Sequence, residues 1–125
     1  MAKTTSPVDR VRRICLALPE AYEKTSHGEP TFWAGRRMFA SFADAATHHG
    51  RGRHAVWCKA TPMTQDLVVS QWPERYFVPP YVGVGGWFGI YLDRRPDWDE
   101  VALRLRESYR LAATKTLIAA LDARS

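Results

Sequence analysis

Residues Arg75 to Asp93 read RYFVPPYVGVGGWFGIYLD. A short apolar run, Tyr76-Phe77-Val78, meets the pair Pro79-Pro80. Proline fixes φ and supplies no backbone donor, so a sheet ladder cannot run through that pair. Gly83, Gly85 and Gly86 follow, and the run from Trp87 to Leu92 has strand composition. Glycine permits positive φ or close backbone approach. The stretch therefore predicts an aromatic corner at which two strands fold back on each other. The glycines do not make a phosphate loop, because they lead into a strand rather than a helix N-terminus and lack the GxGxxG spacing.

On either side of the corner lie helix signals. Thr61-Pro62 places a capping residue before a proline at the first helical position. A helix is expected from Pro62 to about Ser70, packing Met63, Leu67 and Val68 and broken at Trp72-Pro73. Downstream, Asp97-Trp98-Asp99-Glu100 has the form of a capping box. Trp98, Val101, Leu105, Tyr109 and Ala112 share one helical arc, with Arg106 and Arg110 on the opposite side. A last helix is expected from Thr114 to Ala123, packing Leu117, Ile118 and Leu121.

The first half of the chain reads as a helix followed by strands. Ser6-Pro7 repeats the cap signature, and Val8, Val11, Ile14, Cys15 and Leu18 form an apolar stripe ended by Pro19. Ala21 to His27 is a short strand and Gly28-Glu29-Pro30 a turn. Thr31 to Ala34 and Arg37 to Phe42 form a hairpin around Gly35-Arg36. Phe32 and Ala34 share one face of that hairpin and Trp33 takes the other. Asp44 to Arg53 is a polar loop. In the strand from His54 to Ala60, Val56 and Cys58 oppose Ala55, Trp57 and Lys59. Adjacent strands with helices at both ends of the order predict a two-layer α+β domain. Its sheet is mostly antiparallel and its helices pack on one face. The 125 residues fit one domain, 1–125.

Composition narrows the function classes. Hydrophobic residues are 46% of the chain, enough for one packed core. Lys and Arg number 18 against 13 Asp and Glu, a moderate excess of +5 that suits a polyanionic partner. Most of the cations are Arg, which favours planar bidentate contacts to phosphate. Cys15 and Cys58 read as free buried thiols in a reducing compartment. Met1 to Pro7 carries no apolar signal-peptide core, and no run approaches membrane-spanning length. The cytoplasm is the expected compartment, without a membrane partner.

The chain resembles the MmcQ/YjbR-like family of small bacterial proteins over nearly its whole length. Leu18-Pro19-Glu20-Ala21, His27 to Phe32, Met38-Phe39-Ala40 and Trp57-Cys58-Lys59-Ala60 carry the resemblance. Tyr76 to Gly83, Gly86-Trp87 and Glu107 to Leu111 complete it. The resemblance implies a two-layer arrangement with an antiparallel sheet, similar in topology to type III secretion chaperones. It also implies DNA binding through a double-wing shape. Thr114-Lys115 departs from the family's usual Pro-Lys and changes a cap, not the fold.

Two sets of residues are candidates for function. Arg36 and Arg37 at the hairpin tip, Arg51 and Arg53 in the glycine-flanked loop, and Arg94 and Arg95 after the last strand form three basic tips. As wings they can contact the phosphates of duplex DNA; as ordinary loops they are solvated cations. His27, Trp33, Lys59, Arg75, Tyr81 and Trp87 flank the turns and the corner. They can converge on a small anionic ligand or a peptide or protein partner, with Lys59 and Arg75 as charge partners, or else pack in the core. No metal site and no cofactor is expected. His54 and Cys58 share a strand face but lie about 13 Å apart. No catalytic constellation is expected either, since GxSxG is absent and an apolar run makes Cys58 inert. A monomer is the expected state.

Overall fold

The computed structural model describes residues 5–124. The chain runs α1 (Pro7–Leu16), β1 (Ala21–Ser26), β2 (Glu29–Ala34), β3 (Arg37–Ala43) and β4 (Ala55–Cys58). It continues through α2 (Pro62–Gln71), β5 (Tyr76–Phe77), a 3-10 turn at Val82–Gly85 and β6 (Phe88–Tyr91). It closes with α3 (Trp98–Ala112) and α4 (Lys115–Asp122). Each helix starts where a side-chain oxygen accepts an amide that the helix itself leaves unpaired. Ser6 accepts from Asp9 N, Thr61 from Thr64 N, Asp97 from Asp99 N and Glu100 N, and Thr114 from Leu117 N.

The six strands form one antiparallel sheet in the order β1-β2-β3-β4-β6-β5. The fold is α+β, as its pattern predicts. Val11 and Cys15 of α1, Val68 of α2, and Val101, Leu105 and Tyr109 of α3 pack with Phe32, Phe42, Val56 and Ile90 on one sheet face. A bulge at Phe32/Trp33 adds Phe39 to that same core, where its ring meets Tyr109 edge-on at 5.6 Å. Tyr109 Oη donates to the Pro19 carbonyl at 2.7 Å and ties α3 to the end of α1.

Among the described residues, no helix covers the opposite face. Ala43, Ala55, Trp57 and Trp87 form a smaller core there, against Met38, Phe77, Val82 and Tyr91. His49 from the loop after β3 lies 4.8 Å from the Trp57 ring, and Tyr81 from the corner lies 5.9 Å from His49. Two loops thus roof the middle of this face.

Three expectations are corrected by the structure. Met63 is 83% exposed and Leu67 51% exposed, although both were expected to pack. Helix α2 docks instead through Val68 and through Gln65, whose amide donates to the carbonyls of Gly83 and Trp87 at 2.7 and 2.6 Å. The turn between β1 and β2 is His27-Gly28 alone, with φ of 54° and 80°, the positive pair that a two-residue hairpin favours. Glu29, expected in that turn, opens β2 and is buried. Strand ends also contract: His54, Lys59, Trp87 and Leu92 fall outside β4 and β6.

Candidate nucleic-acid interface

The register of the sheet decides which loops meet. Thr31 pairs with Ser41, Ala43 with Ala55, Ala55 with Tyr91, and Tyr76 with Ile90. The His27-Gly28 turn, loop 44–54, segment 73–75 and loop 92–97 therefore gather at one end. The tip at Gly35-Arg36, Lys59 and the proline–glycine corner lie at the other. Of the six arginines expected to form wings, Arg51, Arg53, Arg94 and Arg95 share an end. Arg36 and Arg37 sit exposed at the opposite end and do not join them.

Loop 44–54 is held from within. The buried Glu29 carboxylate accepts from Asp44 N and from the Thr47 hydroxyl, both at 2.8 Å. His54 Nδ1 accepts from Ala45 N at 3.0 Å. Gly50 lies so close to the Asp44 backbone that a Cβ would sit 1.9 Å from its carbonyl oxygen, so no other residue fits without moving the loop. The chain then passes through Arg51 at φ 49° and Gly52 at φ 90°, a left-handed pair that turns Arg51 outward.

Loop 92–97 is locked to loop 44–54. Arg53 donates to Asp93 through Nε at 2.7 Å and Nη2 at 2.9 Å, a two-point contact that a lysine cannot make. Its guanidinium also lies 3.4 Å from the centre of the Tyr91 ring, which stacks on Phe77 at 4.5 Å. The hydrogen bonds from Arg53 hold the Asp93 carboxyl below its ordinary range. Arg53 is a brace more than a free cation. Arg95 carries φ 49° within this second loop.

Arg53, Arg75, Arg94 and Arg95 line one cavity of about 140 Å³ between these loops and the start of α3. Glu74, Asp97 and Glu100 border it. Arg75 Nη1 donates to Glu100 at 3.3 Å, and Glu100 also accepts from the Tyr76 hydroxyl at 2.6 Å. Burial and that bond push the Tyr76 phenol up to about 12. Arg51, Arg94 and Arg95 make no ion pair among the described residues. The arrangement is two braced arginines beside three free ones, which can take oxyanions from solvent.

The six residues expected around a ligand do not converge. His27 belongs to the hairpin turn and Arg75 to the arginine cavity. Trp33 is covered by Lys24 at 4.0 Å and stacks on Tyr22 at 6.5 Å. Tyr81, 67% exposed and at φ 64°, meets His48 Nε2 at 3.3 Å through its hydroxyl. Only Lys59 and Trp87 approach each other, with Nζ 5.9 Å from the ring. Sequence reasoning missed Glu29, Asp93 and Glu100, which position the arginines. The residues that they hold are 15 to 40 positions away in the chain, beyond the reach of local patterns.

Burial pushes both thiols up, Cys15 well above its ordinary value and Cys58 to about 12, so neither is a ready nucleophile. Among the described residues, no three His, Cys, Asp or Glu side chains gather as a metal ion needs. Among the described residues, no helix is long and apolar enough to cross a membrane.

Comparison with known proteins agrees with this architecture. A crystal structure of the Deinococcus radiodurans protein DR2400, described by the domain DUF419, is similar with a TM-score of 0.72 at 22% identity. The match covers 92% of this chain and 87% of that one, and at such identity it speaks for the fold alone. Among curated proteins, none matches the chain. The model of the YjbR family matches residues 16–111, from the end of α1 through most of α3, and the chain belongs to that family.

Proposed function

We propose that this protein is a non-catalytic nucleic-acid-binding protein that seats the backbone of duplex DNA on one end of its sheet. The observation that carries this reading is the set of arginines at that end, with Arg94 and Arg95 lining the cavity and, among the described residues, in no ion pair, and Arg51 on the adjoining loop. Loops 44–54 and 92–97 act as the two wings, joined at the root by the Arg53–Asp93 contact. Such contacts go to phosphate, so they fix position on the duplex and carry little sequence preference. The +5 charge adds a general attraction. Arg36 and Arg37 have no part in this reading. Two buried thiols held reduced suit a bacterial cytoplasm, where the protein acts as a monomer.

Fluorescence anisotropy of a labelled duplex, titrated at several salt concentrations, tests the reading. Three phosphate contacts give a slope of log K against log salt of about −2.7, and Arg51→Ala reduces its magnitude by about 0.9. Arg94→Ala/Arg95→Ala does the same twice over while leaving the unfolding midpoint in place. Binding that is absent, or indifferent to salt, overturns the reading.

A further inference from the structure

A second cavity, of about 230 Å³, lies between α3 and the connection from β4 to α2. Lys59, Thr61, Thr64, Arg104 and Arg110 supply its polar lining, and Phe88 and Leu111 are among its apolar walls. It shares no lining residue with the arginine cavity. Its cations are held in different ways. The buried Ser108 hydroxyl lies 2.8 Å from the Lys59 carbonyl and 3.0 Å from that of Arg104, which pins both backbones at the rim. Arg104 donates through Nε to the Tyr76 hydroxyl and through Nη1 to Glu107, both at 3.2 Å. Its guanidinium lies 6.0 Å from the Phe88 ring and 5.6 Å from that of Tyr76. Its Nη2 has no partner among the described residues. Arg110 is held from outside by Asp122 at 2.6 Å. Lys59 makes no ion pair among the described residues.

Arg110 is answered by Asp122, and Lys59 and Arg104 against the one carboxylate of Glu107 leave this cavity with one cation in excess. Arg104 is fixed in orientation with a spare donor, and Lys59, whose Nζ rests 5.9 Å from the Trp87 ring outside the cavity, makes no ion pair among the described residues and can swing to the cavity mouth. Beneath them lies aromatic and aliphatic surface. A fully hydrated inorganic ion gains little from that surface, and a neutral apolar molecule leaves the cations unanswered. From this pairing we infer that the cavity binds a small organic anion, with an oxyanion head on a compact apolar body. The head lies between Lys59 Nζ and Arg104 Nη2. The Thr64 hydroxyl, which accepts from that of Thr61 at 3.1 Å, keeps its own proton to donate beside it, and the body rests on Phe88 and Leu111. The size suits a ligand of roughly one ring, below the range of drug-sized pockets. This site is independent of the DNA reading and stands or falls separately.

Amide NMR spectra of the labelled protein, titrated with benzoate and with phenyl phosphate, test it. Benzyl alcohol and inorganic phosphate serve as controls. Saturable shifts are expected at residues 59–64 and 104–111 with at least one organic anion, and the stronger of the two identifies the head group. Lys59→Gln is expected to weaken that binding at least fivefold without moving the unfolding midpoint. Leu111→Glu, at a half-exposed position of the wall, is expected to abolish it. Four results overturn the inference: no saturable shift with either anion, equal shifts with benzyl alcohol, shifts confined to residues 51–53 and 94–97, or unchanged affinity in Lys59→Gln.

Discussion

The two ends of the sheet both present arginines, and they differ in what stands behind them. At the β2–β3 tip, Arg36 and Arg37 project from a tight hairpin, and neither makes an ion pair among the described residues. At the other end, two loops are bound to each other by Arg53 and Asp93 and anchored from below by Glu29. An exposed arginine with no loop braced behind it loses side-chain freedom whenever it binds, which offsets much of its attraction. Arginines on a braced frame lose less and act together. Cationic residues make a site through spacing and support, not through number.

Charge reversal at each end breaks this comparison most sharply. Arg51→Glu/Arg94→Glu/Arg95→Glu is expected to weaken duplex binding about 100-fold near 0.1 M salt, about 2.7 kcal/mol. Arg36→Glu/Arg37→Glu is expected to change it less than about threefold, as a remote charge screened over about 10 Å. Equal losses in anisotropy titrations at both ends would refute the distinction.

A single methyl group probes the frame next. Gly50→Ala is expected to cost about 2 kcal/mol in urea unfolding, because the new Cβ meets the Asp44 carbonyl at 1.9 Å and the loop must shift. Gly35→Ala at the opposite tip meets nothing within 4 Å and strains only its φ of 63°, at about 1 kcal/mol. Gly50→Ala is also expected to lower DNA affinity, whereas Gly35→Ala leaves it unchanged. Glu29→Gln asks the same of the anchor. The amide keeps one acceptor but loses the charge that strengthens both bonds, at a cost of about 1 kcal/mol. Faster amide exchange confined to residues 44–54 would place that cost in the loop.

The local parts of this fold were legible in the sequence, and the parts that make the site were not. Caps at Ser6, Thr61, Asp97 and Thr114 announce themselves because each cap oxygen and the amide that it accepts lie two or three residues apart. The alternation of Ala55, Val56, Trp57 and Cys58 between two cores was equally readable. Met63 and Leu67 misled, because helical spacing says that two side chains share a face and not whether anything covers it. The arginines could be picked out as cations, but their grouping follows from strand order. With β6 placed between β4 and β5, Arg94 and Arg95 come beside Arg53 and away from Arg36. A chain's own pattern gives each loop its chemistry, and pairing across the sheet chooses its neighbours.

The smallest effect tests whether the Arg53–Asp93 contact is a brace or an ornament. Both side chains are partly exposed, so solvent screens the pair and its contribution is about 0.5 kcal/mol. Asp93 has a folded pKa below the ordinary carboxylate value of 3.8. The stabilisation is therefore complete above that value and is lost as pH falls through the folded pKa. Asp93→Asn is expected to lie about 0.5 kcal/mol below the natural protein at pH 7, with the gap closing as pH falls through the folded pKa of Asp93. A gap that persists at low pH would mean that the asparagine disturbs packing rather than charge. A gap that closes, with DNA affinity lowered at pH 7 although no free arginine has changed, shows the brace acting through the positions of Arg94 and Arg95. At the hairpin tip no such partner exists among the described residues, so no acid there can transmit a change of pH to Arg36 or Arg37.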